Sequence, residues 1–157
     1  MPLRIRPYNP ADFETLYTLD AQCYAPEVAY SKRTLRAFLR LPGAECLVAE
    51  QERVIAGFIL SDRYKAAGHI ITLDVAPDAR RIGVGTALLE AAHASLATQG
   101  VREVDLETST LNPAAIAFWQ HHGYKIAGTL ANYYGNGEDA YWMTRTLAKS
   151  ASAGTHL

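Results

Sequence analysis

The stretch "LDVAPDARRIGVGTALLEAAH", residues 73–93, joins a strand-like apolar run to an apolar helical one through two arginines and two glycines. A helix N-terminus leaves its first backbone N–H groups without partners and carries partial positive charge, so a glycine loop opening onto one can hold a phosphate. Gly83 and Gly85 let the backbone approach such a ligand, and Arg80 and Arg81 add positive charge beside it. The competing reading is a tight turn between strand and helix. Two phosphate motifs can be tested directly. A P-loop ends in Gly-Lys followed by Ser or Thr, and residues 66–124 contain no Lys. A dinucleotide fingerprint needs a third Gly where Leu88 stands, so that reading is kept only as a lesser alternative.

Upstream of the loop, "GHIITLDVAP" is a strand-like run ended by Pro77, and "AECLVAE" and "RVIAGFILSDR" read as a hairpin turning at Gln51 and Glu52. Before them, "LRIRPY" reads as a short strand. "NPADFETLYTLDAQCY" then sets Phe13, Leu16, Tyr17 and Leu19 at helical spacing, with Asn9 or Asp12 as its cap. A second helix, capped by Ser31 and ended by Pro42-Gly43, carries Leu35, Phe38 and Leu39 on one face. Downstream, Val84 opens a helix with Leu88, Leu89, Ala92 and Leu96 on its apolar face and Gly100 at its end. "VREVDLETS" alternates as a strand, Asn112-Pro113 starts a short helix that Gly123 closes, and two strands flank a "GNGED" turn. The order β-α-α-β-β-β-α-β-α-β-β predicts an α/β (α+β) fold: a mixed, mostly antiparallel sheet of about six or seven strands flanked by about four helices.

The chain has 157 residues, enough for one domain, expected over 1–147, with the small polar tail 148–157 expected to be disordered. Apolar residues make up 49% and charged residues 20%, a soluble globular composition. The net charge of -1 supplies no global field toward nucleic acid or an anionic membrane. Cys23 and Cys46 lack CxxC spacing, which argues for reduced thiols rather than a disulfide framework or a zinc site. With no signal core and no apolar run near the roughly 18 residues of a membrane helix, a cytoplasmic location is expected.

Arg80, Gly83 and Gly85, at R-x-x-G-x-G spacing after "LDVAP", resemble the coenzyme A loop of the GNAT superfamily of N-acetyltransferases. "LETSTLNPAAIAFWQHHGY" is similar to the superfamily's next strand and helix. "NYYGNGEDAYWM" resembles the C-terminal hairpin of its RimI-type branch, the ribosomal-protein N-terminal alanine acetyltransferases. The likeness runs from residue 3 to about 147 and implies a GNAT fold.

The resemblance implies that acetyl-CoA binds with its pyrophosphate on the backbone of Arg81, Ile82, Gly83, Val84, Gly85 and Thr86, with Arg80 nearby. Its pantetheine arm would pair with Leu73 and Val75, and Asn112 and Trp119 fall at cofactor-contacting positions. It further implies direct transfer to a primary amine: Glu107 as general base through water, His69 as a second candidate base, and the Val75 N–H on the oxyanion. Tyr30, Tyr133 and Tyr134 would bind the acceptor.

Trp119 stands where the family's acid tyrosine belongs, and an indole N–H cannot protonate a thiolate. Tyr134 is the expected catalytic replacement, with Tyr124, Tyr133 and Tyr141 as other candidate hydroxyls. Since a thiol of pKa about 8.5 leaves readily, loss of the acid slows the reaction without abolishing it. An α-amine, of pKa near 8 against about 10.4 for Lys, asks less of its base, which favours a protein N-terminus. A small-molecule amine acetyltransferase and a non-catalytic acyl-CoA binding module stay open as alternatives. No metal is expected, and the protein is expected to be a monomer or homodimer. Asp74, out of phase with its apolar neighbours, is assigned no chemical role.

Overall fold

The computed structural model describes residues 2–148. The tail expected to be disordered lies, from 149 on, outside the described residues. In chain order the elements are β1 (Arg4–Pro7), α1 (Phe13–Cys23), α2 (Lys32–Leu39), β2 (Glu45–Gln51), β3 (Val54–Tyr64), β4 (Ala67–Val75), α3 (Val84–Thr98), β5 (Glu103–Ser109), α4 (Pro113–His121), β6 (Lys125–Leu130) and β7 (Ala140–Thr146). Short 3-10 turns at Pro10–Asp12 and Pro77–Ala79 precede α1 and α3.

Local chemistry explains most boundaries. Asn9 and Asp12 form a reciprocal capping box around the first 3-10 turn, so Asp12 serves that turn and not α1. Ser31 accepts from Thr34 N and Asn112 from Ala115 N, which caps α2 and α4. Gly100 and Gly123, both at φ 88°, follow the ends of α3 and α4, where a side chain would be strained. The β2–β3 hairpin turns at Glu52 and Arg53, one residue later than the sequence suggests. Both take positive φ, 53° and 67°, the requirement of a type I′ turn.

The strands form one seven-stranded sheet in the order β1-β2-β3-β4-β5-β7-β6. Only β4 and β5 run parallel, joined by the crossover through α3; the other neighbours are antiparallel. Val84, Leu88, Leu89, Ala92 and Leu96 of α3, with Trp119 of α4, bury against one face. Phe13, Leu16 and Leu19 of α1 and Leu35 of α2 bury against the other. Each fully buried Leu contributes about 1.5–3 kcal/mol, so the two helical layers hold the sheet from both sides.

An irregularity in β4 decides what its side chains meet. Leu60 of β3 pairs with Thr72 whereas Ser61 pairs with Ile70, so Ile71 is an extra residue in β4, a bulge. Before it, Ile70 packs into the α3 layer; after it, Leu73 and Val75 pack there while Thr72 and Asp74 turn toward α1.

Candidate active site

β4 and β5 are paired only at Ala67↔Glu103, Gly68↔Val104 and His69↔Asp105. Beyond that point β4 stays with β3 as far as Gly57↔Val75, and β5 stays with β7 as far as Ser109↔Ala140. Each strand keeps its outer partner, so the sheet forks between them. The backbone shows which groups face the fork. Ala76 N donates to Ala56 O, while Val75 O accepts from Arg80 Nε (3.2 Å) and Cys23 Sγ (3.4 Å). By strand alternation, Leu73 and Val75 thus direct their polar groups away from β3, into the fork.

At the vertex stands His69. Its Nδ1 is 2.6 Å from Asp105 Oδ1 and its Nε2 is 3.2 Å from Glu107 Oε1. Asp105 and Glu107 are two apart on β5 and share a face. Burial works to lower the His69 pKa, but the hydrogen bonds and charges of Glu107 and Asp105 outweigh it and hold the imidazolium up to about 9. Tyr133 OH donates to Glu107 Oε1 (3.2 Å) and Trp142 Nε1 to Asp105 Oδ2 (3.0 Å). Partial burial and the neighbouring Glu107 charge push the Tyr133 hydroxyl up to about 12. Near neutrality the cluster therefore carries one cation and two carboxylates, a net negative charge suited to receive an ammonium group. His69, Asp105 and Glu107 also lie within 4.8 Å of one another, close enough to ligate a cation, with the same atoms already engaged in these hydrogen bonds.

The acceptor residues expected from the sequence meet above the fork. Tyr30, in the loop between α1 and α2, donates to Ile71 O at 3.4 Å. Tyr133 and Tyr134, between β6 and β7, pack edge to face at 4.9 Å. The two loops touch: a Cβ on Gly135 would lie 2.6 Å from Glu27 O, so only glycine permits this closure of the arch. The tyrosine hydroxyl that donates to Glu107 is that of Tyr133, with Tyr134 packed against it. Tyr124 is removed from the site, buried with its OH 2.7 Å from His93 Nε2 on the α3 side.

At the other end, Arg81 (φ 68°) and Gly83 (φ 88°) shape the loop, and no side chain caps the start of α3. Gly85 sits beneath the Phe118 ring, with 3.4 Å to a notional Cβ. Arg80 points back along β4 to Val75 O and to Cys23 Sγ (3.6 Å), rather than over the loop. Asn112 uses its Oδ1 to cap α4 (3.1 Å to Ala115 N), which leaves its amide N–H₂ as the donor available for a ligand. Trp119 is core: 8% exposed, packed edge-on against Phe118 and Tyr124. Asp105 and Trp142 were not singled out from the sequence. The two-residue spacing from Asp105 to Glu107 was the signal available.

The family model described as Acetyltransferase (GNAT) family matches residues 13–124. The chain belongs to the GNAT acetyltransferase family. An N-alpha-acetyltransferase of Sulfurisphaera tokodaii is 38% identical over 81 residues, 51% of this chain and 48% of that protein. The chain thus matches about half the length of such curated GNAT relatives. The crystal structure of Ard1 from Thermoplasma volcanium is 30% identical, with TM-score 0.87, covering 95% of this chain and 100% of that one. That of the Escherichia coli ribosomal-protein-S18-alanine N-acetyltransferase is 25% identical, with TM-score 0.86, covering 96% and 97%. The mixed, mostly antiparallel GNAT sheet with its flanking helices, expected from the sequence, is the one observed.

Proposed function

We propose that this protein is an N-acetyltransferase that moves an acetyl group from acetyl-CoA to the α-amine of a protein or peptide N-terminus in the cytoplasm. The observation that carries the reading is the placement of His69, Glu107 and Tyr133 together at the fork, beneath an arch of tyrosines. The acetyl-CoA pyrophosphate takes the amides from Arg81 to Thr86, and its pantetheine pairs with Leu73 and Val75 inside the fork. The names of the relatives, N-alpha-acetyltransferases and a ribosomal-protein alanine acetyltransferase, support an N-terminal acceptor.

In this reading the acceptor arrives as an ammonium, drawn by the net negative cluster, and gives a proton through water to Glu107. The neutral amine attacks the thioester carbon, and the Val75 N–H stabilises the oxyanion. The C–S bond then breaks, the CoA thiolate leaves, and the second proton of the acceptor nitrogen passes through water to that thiolate as the amide forms. His69, charged below about pH 9, steadies the Glu107 carboxylate at lower pH and becomes a competent base only as it deprotonates. Tyr133, and not Trp119, supplies the hydroxyl nearest this chemistry.

A steady-state assay with acetyl-CoA against a panel of N-terminal peptides, Lys side chains and small amines tests the reading. Turnover on α-amines is expected. Turnover confined to small amines favours the small-molecule enzyme, and CoA binding without turnover on any acceptor favours a binding module.

A further inference from the structure

Behind the fork, on the α1 side of β4, lie two carboxyl groups to which no function is assigned. Asp20 of α1 and Asp74 of β4 are each 0% exposed. One oxygen of each is satisfied: Asp20 Oδ2 accepts from Tyr30 N (2.7 Å), and Asp74 Oδ1 from Thr72 Oγ1 (2.6 Å). The other oxygens, Asp20 Oδ1 and Asp74 Oδ2, are buried without a hydrogen-bond partner among the described residues, although the Tyr24 hydroxyl lies close enough to Asp74 to favour its charged form in part. The two side chains lie within hydrogen-bonding reach of each other.

Among the described residues neither carboxyl forms an ion pair. The titratable groups around them are Cys23 and Tyr24 at the end of α1, Tyr30 of the following loop and Cys46 of β2. All are neutral hydroxyls or thiols. The guanidinium on this side, Arg80, is turned to Val75 O and Cys23 Sγ. Two buried carboxylates facing each other without a cation are mutually unfavourable, and an orphaned oxygen on each adds its own desolvation cost. One proton between the orphaned oxygens removes both problems.

We propose that Asp20 and Asp74 share a single proton and act as a pH-sensitive brace holding the α1–α2 loop against β4. The chain of contacts is continuous: Tyr24 OH to Thr72 Oγ1 (3.3 Å), Thr72 to Asp74, Asp74 to Asp20, and Asp20 to the backbone N–H of Tyr30. Burial, with the facing Asp20 carboxyl second, holds the Asp74 proton well above the ordinary carboxyl range. Loss of that proton puts two negative charges in a closed space between α1 and the strand that borders the fork. Asp20 and Asp74 are positioning residues here; neither touches the reacting atoms. The consequence for acceptor binding at Tyr30 rests on the proposed function, whereas the shared proton does not.

Asp74→Asn tests the brace, because an amide satisfies the geometry permanently. Its Oδ1 keeps the Thr72 bond, and its N–H₂ donates to Asp20 Oδ1 in place of the proton. Infrared spectra of protein carrying ¹³C-labelled Asp, at neutral pH, are expected to show a protonated-carboxyl stretch that D74N loses. The Tm of D74N is expected to gain on that of the wild type progressively as pH rises from about 5 to about 9, since only the wild type must retain a proton to stay folded. Parallel Tm curves, or a wild-type spectrum without the band, overturn the proposal. Asp20→Asn should reproduce both results if D74N fails to fold. If neither variant folds, the labelled wild-type band decides alone.

Discussion

β4 borders two groups of acids that solve the same electrostatic problem differently. At the fork, Asp105 and Glu107 are neutralised in part by His69, and the cluster is partly open to solvent. Behind it, Asp20 and Asp74 are sealed in, each with one oxygen hydrogen-bonded and, among the described residues, no ion-pair partner, so that the proposed shared proton takes the place of a cation. A side-chain cation leaves carboxylate oxygens free to accept protons from a substrate. A shared proton between buried oxygens leaves none, and so makes a brace rather than a catalyst.

The two groups also lose stability in different pH windows. His69 is raised above its unfolded value, so its contribution is complete below about pH 6.5 and is lost as pH rises through about 9. Asp74 is also raised, so its contribution is complete below the unfolded carboxyl value of about 3.9 and declines from there as pH climbs toward its native value.

The largest break in this comparison is Glu107→Gln. It should lower kcat/KM by about 10²–10⁴ while leaving CoA affinity unchanged, the size of a lost general base. A fall of less than tenfold in peptide turnover assays would move the base elsewhere. Ile82→Glu separates the cofactor end from the acid clusters. Ile82 is 59% exposed, so nothing in the core is lost, yet a carboxylate beside the pyrophosphate should weaken CoA binding about tenfold, or ~1.4 kcal/mol. Calorimetry finding wild-type CoA affinity in that variant would reject the loop assignment.

Asp105→Asn sharpens the contrast within the fork. With one of its two carboxylates gone, His69 should titrate about one to two units below its native value of about 9, read from the imidazole NMR signal and from the pH–rate profile. An unmoved titration would mean that Glu107 alone holds the charge. The smallest effect is on stability. His69→Gln should flatten the wild-type loss between about pH 6.5 and 9 by under about 1 kcal/mol, because a side chain 36% exposed is screened by solvent. Thermal melts across that range supply the measurement.

Much of the site was legible because its signals are local. Arg80, Gly83 and Gly85, with the strand before them, carry the resemblance to the family's coenzyme A loop, and period-two alternation places Glu107 toward the fork. Asp105 follows from the same alternation once Glu107 is placed. What was not legible depends on geometry that spacing does not encode. The bulge at Ile71 gives β4 a change of phase, and this is why Asp74, read as inert, ends up facing Asp20 across the sheet–helix boundary. The choice between Tyr133 and Tyr134 depends on how the β6–β7 loop folds over Glu27, a contact between distant segments. Trp119 fits the family's spacing for an acid, yet its ring serves the core, a role set by Phe118 and Tyr124 around it.

The fork has a cost unrelated to catalysis. Where β4 and β5 part, each presents unpaired backbone, and an open strand edge is a template for association with other chains. Here two of the β4 carbonyls are covered by side chains: Ile71 O by Tyr30, and Val75 O by Cys23 and Arg80. A carbonyl covered in this way offers less to a strand from another chain. In the proposed binding mode a pantetheine arm pairs along this same strand, so the Val75 carbonyl is a point where covering the edge and admitting the donor compete for one acceptor.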